Sequence, residues 1–249
     1  MVDGRIAGTP IESALVALAR KSCEAPARLE PADLEPIRGL VGDGALDYVL
    51  VLASFHFINR IADQLGVDPE VAGLGWLRRM EPIRRQIVGV TSRLLRRMDL
   101  TNRPYGRSFD DALALLPASV DRRALEPLRP RPHLVEAIAL AIEERDRRSR
   151  LERSTLARVY RAVEASLPAC ADDAGGFHVR PPDPVLAFAF VGTRYAQRTT
   201  EAMIEDLRAA DFDDVDLLDL AIAVADANQW ARMHRLLGLP PGIFGPSQS

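Results

Sequence analysis

The pattern of hydrophobic and polar positions along the chain is helical almost throughout. Apolar residues recur at spacings of three and four, whereas the strict alternation expected of strands is nearly absent. Thr9, followed by Pro10 and Glu12, is a capping box with proline at the first helical position, which predicts a helix to about Ser22. We therefore predict an all-α protein. Further helices are predicted from Pro31, from about Asp43, and over residues 69–98 with a kink at Pro82, 109–116, 132–148, 154–167, 184–196, 200–210 and 215–237.

One stretch of this pattern occurs twice. Residues 46–69 align without gaps with residues 218–241, and residues 29–40 align with residues 199–210. Both long apolar helices carry an arginine near the C-terminal end, followed by glycine, where a left-handed cap is expected, and then by proline. The sequence therefore predicts a duplicated unit of a short helix, a turn and a long helix. The identical pairs are Leu46/Leu218, Asp47/Asp219, Ala53/Ala225, Arg60/Arg232, Leu65/Leu237, Gly66/Gly238 and Pro69/Pro241.

Turn-forming residues place the boundary between two helical halves near the middle of the chain. Prolines and arginines interrupt the helical pattern around residues 129–132, after the short helix predicted over residues 109–116. We expect a first helical domain over residues 1–116, a linker over 117–133 and a second helical domain over 134–249.

The end of the first long helix resembles a known family. The string from Phe57 to Val67, FINRIADQLGV, is similar to the F-N-R-x-A-D-x-L-G-V segment of the AhpD-like superfamily, which contains carboxymuconolactone decarboxylases and peroxidase-related alkylhydroperoxidases. The second copy resembles the same short helix, turn and long helix. The resemblance implies two AhpD-like repeats fused in one chain, in place of the dimer that single-repeat relatives assemble, and a peroxidase-related oxidoreductase that forms homo-oligomers.

The cysteines depart from what this family needs for peroxide chemistry. Its members use a Cys-x-x-Cys with a histidine four residues beyond, so that one thiolate attacks the peroxide and the second thiol resolves the sulfenic acid. This chain has only Cys23 and Cys170. Alignment with the family places Cys23 at the first cysteine, Pro26 at the second and Glu30 at the histidine. One interpretation makes Cys23 a lone nucleophile with Glu24 or Glu30 transferring protons; the other makes Cys23 a small core residue.

Polar residues on the two long helices form the second candidate site. His56, Asn59, Arg60 and Asp63 follow the i, i+3, i+4, i+7 spacing and are predicted to share one helical face. One interpretation is a pocket between the repeats in which Arg60 or Arg232 holds an anionic or carbonyl-bearing ligand; the other is that each arginine pairs with an aspartate and joins the helices. The remaining candidates are Asp226, Asn228, Arg232 and His234 on the second helix, and His178 in a glycine-rich loop at the pocket edge.

Composition limits the classes of partner. Asp47, His56 and Arg60 interrupt the longest apolar stretch, so we expect no membrane span, and without a signal peptide we expect a cytoplasmic protein. The arginine-rich residues 78–97 lack interleaved aromatics and the net charge is −3, which disfavours nucleic-acid binding. No second ligand lies at metal-binding spacing from His178, so we expect no metal and no cofactor.

Three functions follow from these patterns. The first is a one-cysteine, peroxidase-related enzyme acting on hydroperoxides at Cys23. The second is a cysteine-independent enzyme or small-molecule binder that uses the His56, Asn59 and Arg60 face. The third is a non-catalytic helical interaction protein that has lost the redox dithiol.

Overall fold

The protein is helical in every part that can be described. The computed structural model describes residues 9–66, 107–170 and 181–246, and within these ranges all regular elements are helices, which confirms the all-α prediction. The α-helices are α1 Pro10–Glu24, α2 Glu35–Val41, α3 Ala45–Gln64, α4 Phe109–Ala114, α5 Pro132–Arg148, α6 Arg153–Ser166, α7 Pro184–Arg194, α8 Glu201–Ala209 and α9 Asp214–Leu237. Short 3₁₀ helices lie at Pro26–Arg28, Pro31–Leu34, Gly42–Gly44, Arg122–Leu128 and Ala196–Arg198.

Local capping explains several helix boundaries. The Thr9 backbone N–H donates to the Glu12 carboxylate at 2.6 Å, and the Thr9 hydroxyl accepts from the Glu12 backbone N–H, which confirms the predicted capping box. Gly66 after α3 has φ 62° and Gly238 after α9 has φ 67°, so both long helices end in the left-handed conformation predicted for them. The helix predicted over 69–98 and its kink at Pro82 lie outside the described residues.

The aligned stretches contain α2 and α3 in the first half and α8 and α9 in the second, and they are preceded by α1 and α7. Three 3₁₀ helices lie among the elements of the first half, whereas only Ala196–Arg198 lies among those of the second. The caps agree: α1 ends at Ala25 with φ −142° and ψ 52°, and α7 ends at Tyr195 with φ −146° and ψ 53°. A three-residue 3₁₀ turn follows each cap. The backbone therefore has the same geometry at these two helix ends.

Helix α9 is the centre of the structure. It packs against α3, α6 and α7, and every residue from Ala223 to His234 is buried. The larger hydrophobic cluster combines Leu46 and Val49 of α3 with Trp230 of α9, so the two halves share a core. Segment 117–133, predicted as a linker, contributes the fully buried Leu125 to the same cluster.

One described segment has the length and composition of a membrane-spanning helix. Pro31–Gln64 meets that requirement although Asp47, His56 and Arg60 lie within it. In the fold this segment consists of α2, a 3₁₀ turn and α3, and α3 is packed against α9. Core helices reach the same apolar content as spanning helices, because both must remove their side chains from water.

Candidate functional site

The two arginines of the repeated helices meet complementary helix ends. Arg60 on α3 donates from Nη1 to the carbonyl of Gly192, at 2.6 Å, and to the carbonyl of Thr193, in the last turn of α7. Arg232 on α9 donates from Nε to the carbonyl of Ser22, at 3.1 Å, in the last turn of α1. The last carbonyls of a helix lack partners within it, and a helix C-terminus attracts a cation. Arg60 of the first half therefore caps α7 of the second, and Arg232 of the second half caps α1 of the first.

These cations are buried without a carboxylate partner. Arg232 is 1% exposed, and in the described ranges no acidic oxygen lies within ion-pair distance of Arg60 or Arg232. The interpretation that each arginine pairs with an aspartate is therefore wrong. Each arginine instead joins its helix to another through backbone carbonyls. Arg232 Nη1 donates to the backbone and side-chain oxygens of Asn228, at 2.9 and 3.0 Å, and Arg232 Nη2 is buried with no hydrogen bond to any described residue. We call Arg60 and Arg232 the arginine pair.

Burial lowers the pKa of both arginines in this pair. It lowers the pKa of Arg60 to about 10, against smaller opposing effects of Asp63 and of a Cys23 thiolate. Burial also lowers the pKa of Arg232 well below its usual value, and the neighbouring charge of Arg60 lowers it further. Two positive charges in a low-dielectric environment repel each other and lose hydration, so the arrangement favours an added negative charge.

A neutral histidine lies beside the pair. His56 Nε2 is 2.8 Å from the Ser22 hydroxyl, and burial, followed by the charges of Arg232 and Arg60, lowers the pKa of His56 to about 3. The Ser22 hydroxyl donates its single proton to the carbonyl of Ala19, at 2.7 Å. Nε2 of His56 must therefore carry the proton that it shares with Ser22, which leaves Nδ1 as an acceptor.

The opposite half repeats this arrangement with different residues. Asn228, which aligns with His56, donates from Nδ2 to the Thr193 hydroxyl at 3.1 Å. The Thr193 hydroxyl in turn donates to the carbonyl of Ala189, at 2.7 Å. In each half, therefore, a polar side chain of the long helix shares a hydrogen bond with a hydroxyl group, and that hydroxyl group donates to a carbonyl of its own helix.

Cys23 lies next to the arginine pair. It is exposed, it follows Ser22 near the end of α1, and a thiolate at this position would raise the pKa values of both Arg60 and Arg232. Glu24 and Glu30 are exposed, and in the described part of the chain no hydrogen bond joins either carboxylate to Cys23.

The structure separates other residues that the sequence grouped together. On α3, His56 and Arg60 point inward, whereas Asn59 and Asp63 are exposed, so the predicted four-residue face is divided. Asp226 is buried but belongs to another network, in which it accepts a hydrogen bond from the Tyr160 hydroxyl.

The last two candidates are His234, which contacts a different set of residues, and His178. His234 contacts the Glu164 carboxylate at 3.1 Å, and hydrogen bonds from His234 and Arg235 outweigh burial and lower the pKa of Glu164 to about 2. His178 lies outside the described residues. Among the residues that are described, no group of three or more histidine, cysteine or acidic side chains could hold a metal ion.

Sequence reasoning missed the hydroxyl residues and one amide of this site. Ser22 and Thr193 were not candidates. The repeat register, extended upstream, aligns Ala19 with Ala189 and Cys23 with Thr193, so it does not pair the two hydroxyl groups. Gln64 is 5% exposed, and neither its Nε2 nor its Oε1 bonds to any residue in the described ranges. Gly192 of α7 leaves room for this amide, because a Cβ at position 192 would lie 3.0 Å from Gln64 Nε2.

Known proteins add no further identification. Comparisons with protein-family models, curated proteins and solved structures give no match to this chain. The similarity of the Phe57–Val67 string to the AhpD-like superfamily therefore stays a prediction. What the geometry itself provides is a buried pair of cations, a neutral histidine and an exposed thiol within a short distance of one another.

Proposed function

We propose that this chain is an AhpD-like protein with two fused repeats and that it is a peroxidase-related oxidoreductase with one thiol, Cys23, in place of the family's dithiol. The matching caps at Ala25 and Tyr195 support the duplicated unit. The observation that carries the activity is an exposed Cys23 beside the arginine pair, which lacks a carboxylate partner in the described chain.

The proposed reaction needs a thiolate next to positive charge. A thiolate is the nucleophile, and neighbouring cations stabilise it. The C-terminal end of α1 opposes this requirement, because a helix C-terminus favours cations over anions. In the proposal, Arg60 and Arg232 supply the positive charge beside the sulfur.

The proposed reaction has two stages. The thiolate sulfur of Cys23 attacks one oxygen of a hydroperoxide, the S–O bond forms and the O–O bond breaks, giving a sulfenic acid and an alkoxide. The carboxylate of Glu24 or Glu30 takes the proton that the Cys23 thiol loses and passes it to the alkoxide, which leaves as an alcohol. A small thiol then displaces water from the sulfenic acid to form a mixed disulfide, and a second thiol releases Cys23 and a disulfide of the donor.

A second function is favoured by the symmetry of the arginine contacts. Arg60 caps α7 as Arg232 caps α1, although Thr193 stands where the other half has Cys23. The arginine contacts therefore do not require a thiol. This supports a non-catalytic protein, either a small-molecule binder or a helical interaction protein, that has kept the packing and lost the redox dithiol.

Hydroperoxide turnover tests the first function against the second. Cumene hydroperoxide consumption with dithiothreitol is measured for the wild type, for Cys23→Ser and for the matched control Cys170→Ser, which removes the other exposed cysteine. We expect turnover in the wild type and in Cys170→Ser and its loss in Cys23→Ser. Dimedone labelling followed by mass spectrometry should locate the sulfenic acid at Cys23. Equal rates in all three proteins, or no rate above that of dithiothreitol alone, would refute the thiol mechanism and leave the non-catalytic function.

A further inference from the structure

We infer that the arginine pair is a binding site for a small oxyanion, of which a carboxylate is the chemical type that suits it best. The inference rests on the proposed function only in placing this ligand beside Cys23, because it requires no thiol. Its basis is the set of guanidinium N–H groups that the fold leaves unused.

The free donors can be counted from the contacts. Arg60 uses only Nη1, so its Nε and Nη2 make no hydrogen bond with the described chain. Arg232 uses Nε and Nη1, and its Nη2 is buried without a partner. A buried donor left unpaired costs about 1–3 kcal/mol, and more when it is charged. Arg232 therefore has a buried donor without a partner, and Arg60 has two nitrogen atoms that the described chain does not use.

The surroundings favour an anion over a neutral ligand. The ionisable side chains that interact electrostatically with the pair, other than arginines, are His56, which is neutral, Cys23, and Asp63, which acts on Arg60 alone and is exposed. The carbonyls that accept from the pair are dipoles and do not neutralise it. An oxyanion would supply the missing negative charge, and a carboxylate matches the planar fork of a guanidinium group.

The packing favours a small ligand. Arg232 is 1% exposed, and Ser22 and Asn228, which hold it, are fully buried. The more exposed Arg60 and Cys23 give this region its contact with solvent. A ligand with one carboxylate would enter from the side of Arg60 and Cys23, with its carboxylate towards the unpaired Nη2 of Arg232.

Calorimetric titration tests this inference without reference to catalysis. Sodium acetate, sodium benzoate and inorganic phosphate are titrated into the wild type and into Cys23→Ser at constant ionic strength, with sodium chloride as the reference. We expect saturable binding of a carboxylate in both proteins. In Arg60→Met, which loses a donor at the more exposed arginine, the affinity should fall by about tenfold or more, as expected for loss of a charge-assisted bond.

The control is Arg208→Met on α8. Arg208 pairs with Glu205 and Asp214 and does not contribute to the pKa of Arg60 or Arg232, so its loss should leave the affinity unchanged. Arg232→Lys, which keeps the charge and loses the fork, should weaken carboxylates more than chloride. Arg232 is buried, so its variants are prone to misfolding. If Arg232→Lys does not fold, the result for Arg60→Met alone decides the test.

The outcomes separate the two proposals. Carboxylate binding by the wild type and by Cys23→Ser, together with no peroxidase turnover by the wild type, would support the anion site and refute the thiol mechanism. Turnover at Cys23 without saturable binding of any of the three anions would refute the anion site alone. Equal binding by the wild type and Arg60→Met would also overturn the inference, because the anion would then be held elsewhere.

Discussion

Acidification should destabilise the folded protein through His56. Burial, followed by the charges of Arg232 and Arg60, lowers the pKa of His56 from 6.5 to about 3, so the folded state resists a proton that the unfolded chain accepts. Between these two values the unfolded state binds more protons, and stability therefore rises with pH and is lost as the pH falls. His56→Gln should remove this dependence, since glutamine stays neutral and its amide can still donate to the Ser22 hydroxyl.

The size of the effect follows from the two pKa values. One unit of pKa difference corresponds to 1.36 kcal/mol, so full protonation of His56 would cost about 5 kcal/mol of folding free energy. At pH 4.5 the same pKa values give a loss of about 2.7 kcal/mol relative to pH 7.5. Glu164, whose pKa of about 2 acts in the same direction, contributes only about 0.4 kcal/mol at pH 4.5. Of these two groups, His56 therefore makes the larger contribution.

Urea unfolding at several pH values measures this contribution. The free energy of unfolding is obtained for the wild type and His56→Gln at pH 7.5, 6.0, 5.0 and 4.5, and the difference between the two proteins cancels groups common to both, including Asp226, whose raised pKa acts in the opposite direction. His133→Gln is the control, because His133 contacts Asp47 away from the arginine pair. The wild type should lose about 2.7 kcal/mol more than His56→Gln on acidification to pH 4.5. Parallel curves for the two proteins would refute a neutral, buried His56.

Two further substitutions test the packing around α9. Gly192→Ala would place a methyl group 2.9 Å from the nearest side-chain atom, so we expect chemical denaturation to show a loss of about 1–3 kcal/mol. Gly39→Ala, which meets nothing within 4 Å, should be neutral or slightly stabilising, and an equal loss in both variants would contradict the close approach. Tyr160→Phe removes the hydroxyl that donates to the buried Asp226 and should cost about 1–3 kcal/mol in thermal unfolding. Tyr48→Phe is its control, since the Tyr48 hydroxyl has no hydrogen bond in the described ranges, and equal costs would show that the Asp226 contact is immaterial.

The sequence predicted those features that depend on neighbouring residues. The capping box at Thr9 and the left-handed glycines Gly66 and Gly238 follow from local backbone chemistry, and the structure has all three. The helical class follows from apolar periodicity in the same way. By contrast, the helix ends that Arg60 and Arg232 cap lie in distant parts of the chain, so no spacing along α3 or α9 could identify them.

The predicted polar face of α3 shows why periodicity was insufficient for the site. Apolar residues suggested that this whole helix is enclosed, yet Phe55 is 64% exposed and Val51 is 60% exposed. The buried face is therefore narrower than the run of apolar residues. His56 and Arg60, four residues apart, fall within it, whereas Asn59, at the i+3 position, falls outside.

The symmetry of the arginine pair helps to separate packing from chemistry. Both aligned helices carry the arginine, and both use it on a helix end, which is sufficient to explain its presence at the two positions. Packing does not explain the differences between the halves, namely a histidine in one where the other has Asn228, and Cys23 where the other has Thr193. A hydroxyl group or an amide would satisfy the same hydrogen bonds. Any specific reaction must therefore arise from the half that carries His56 and Cys23, while the opposite half supplies the second cation.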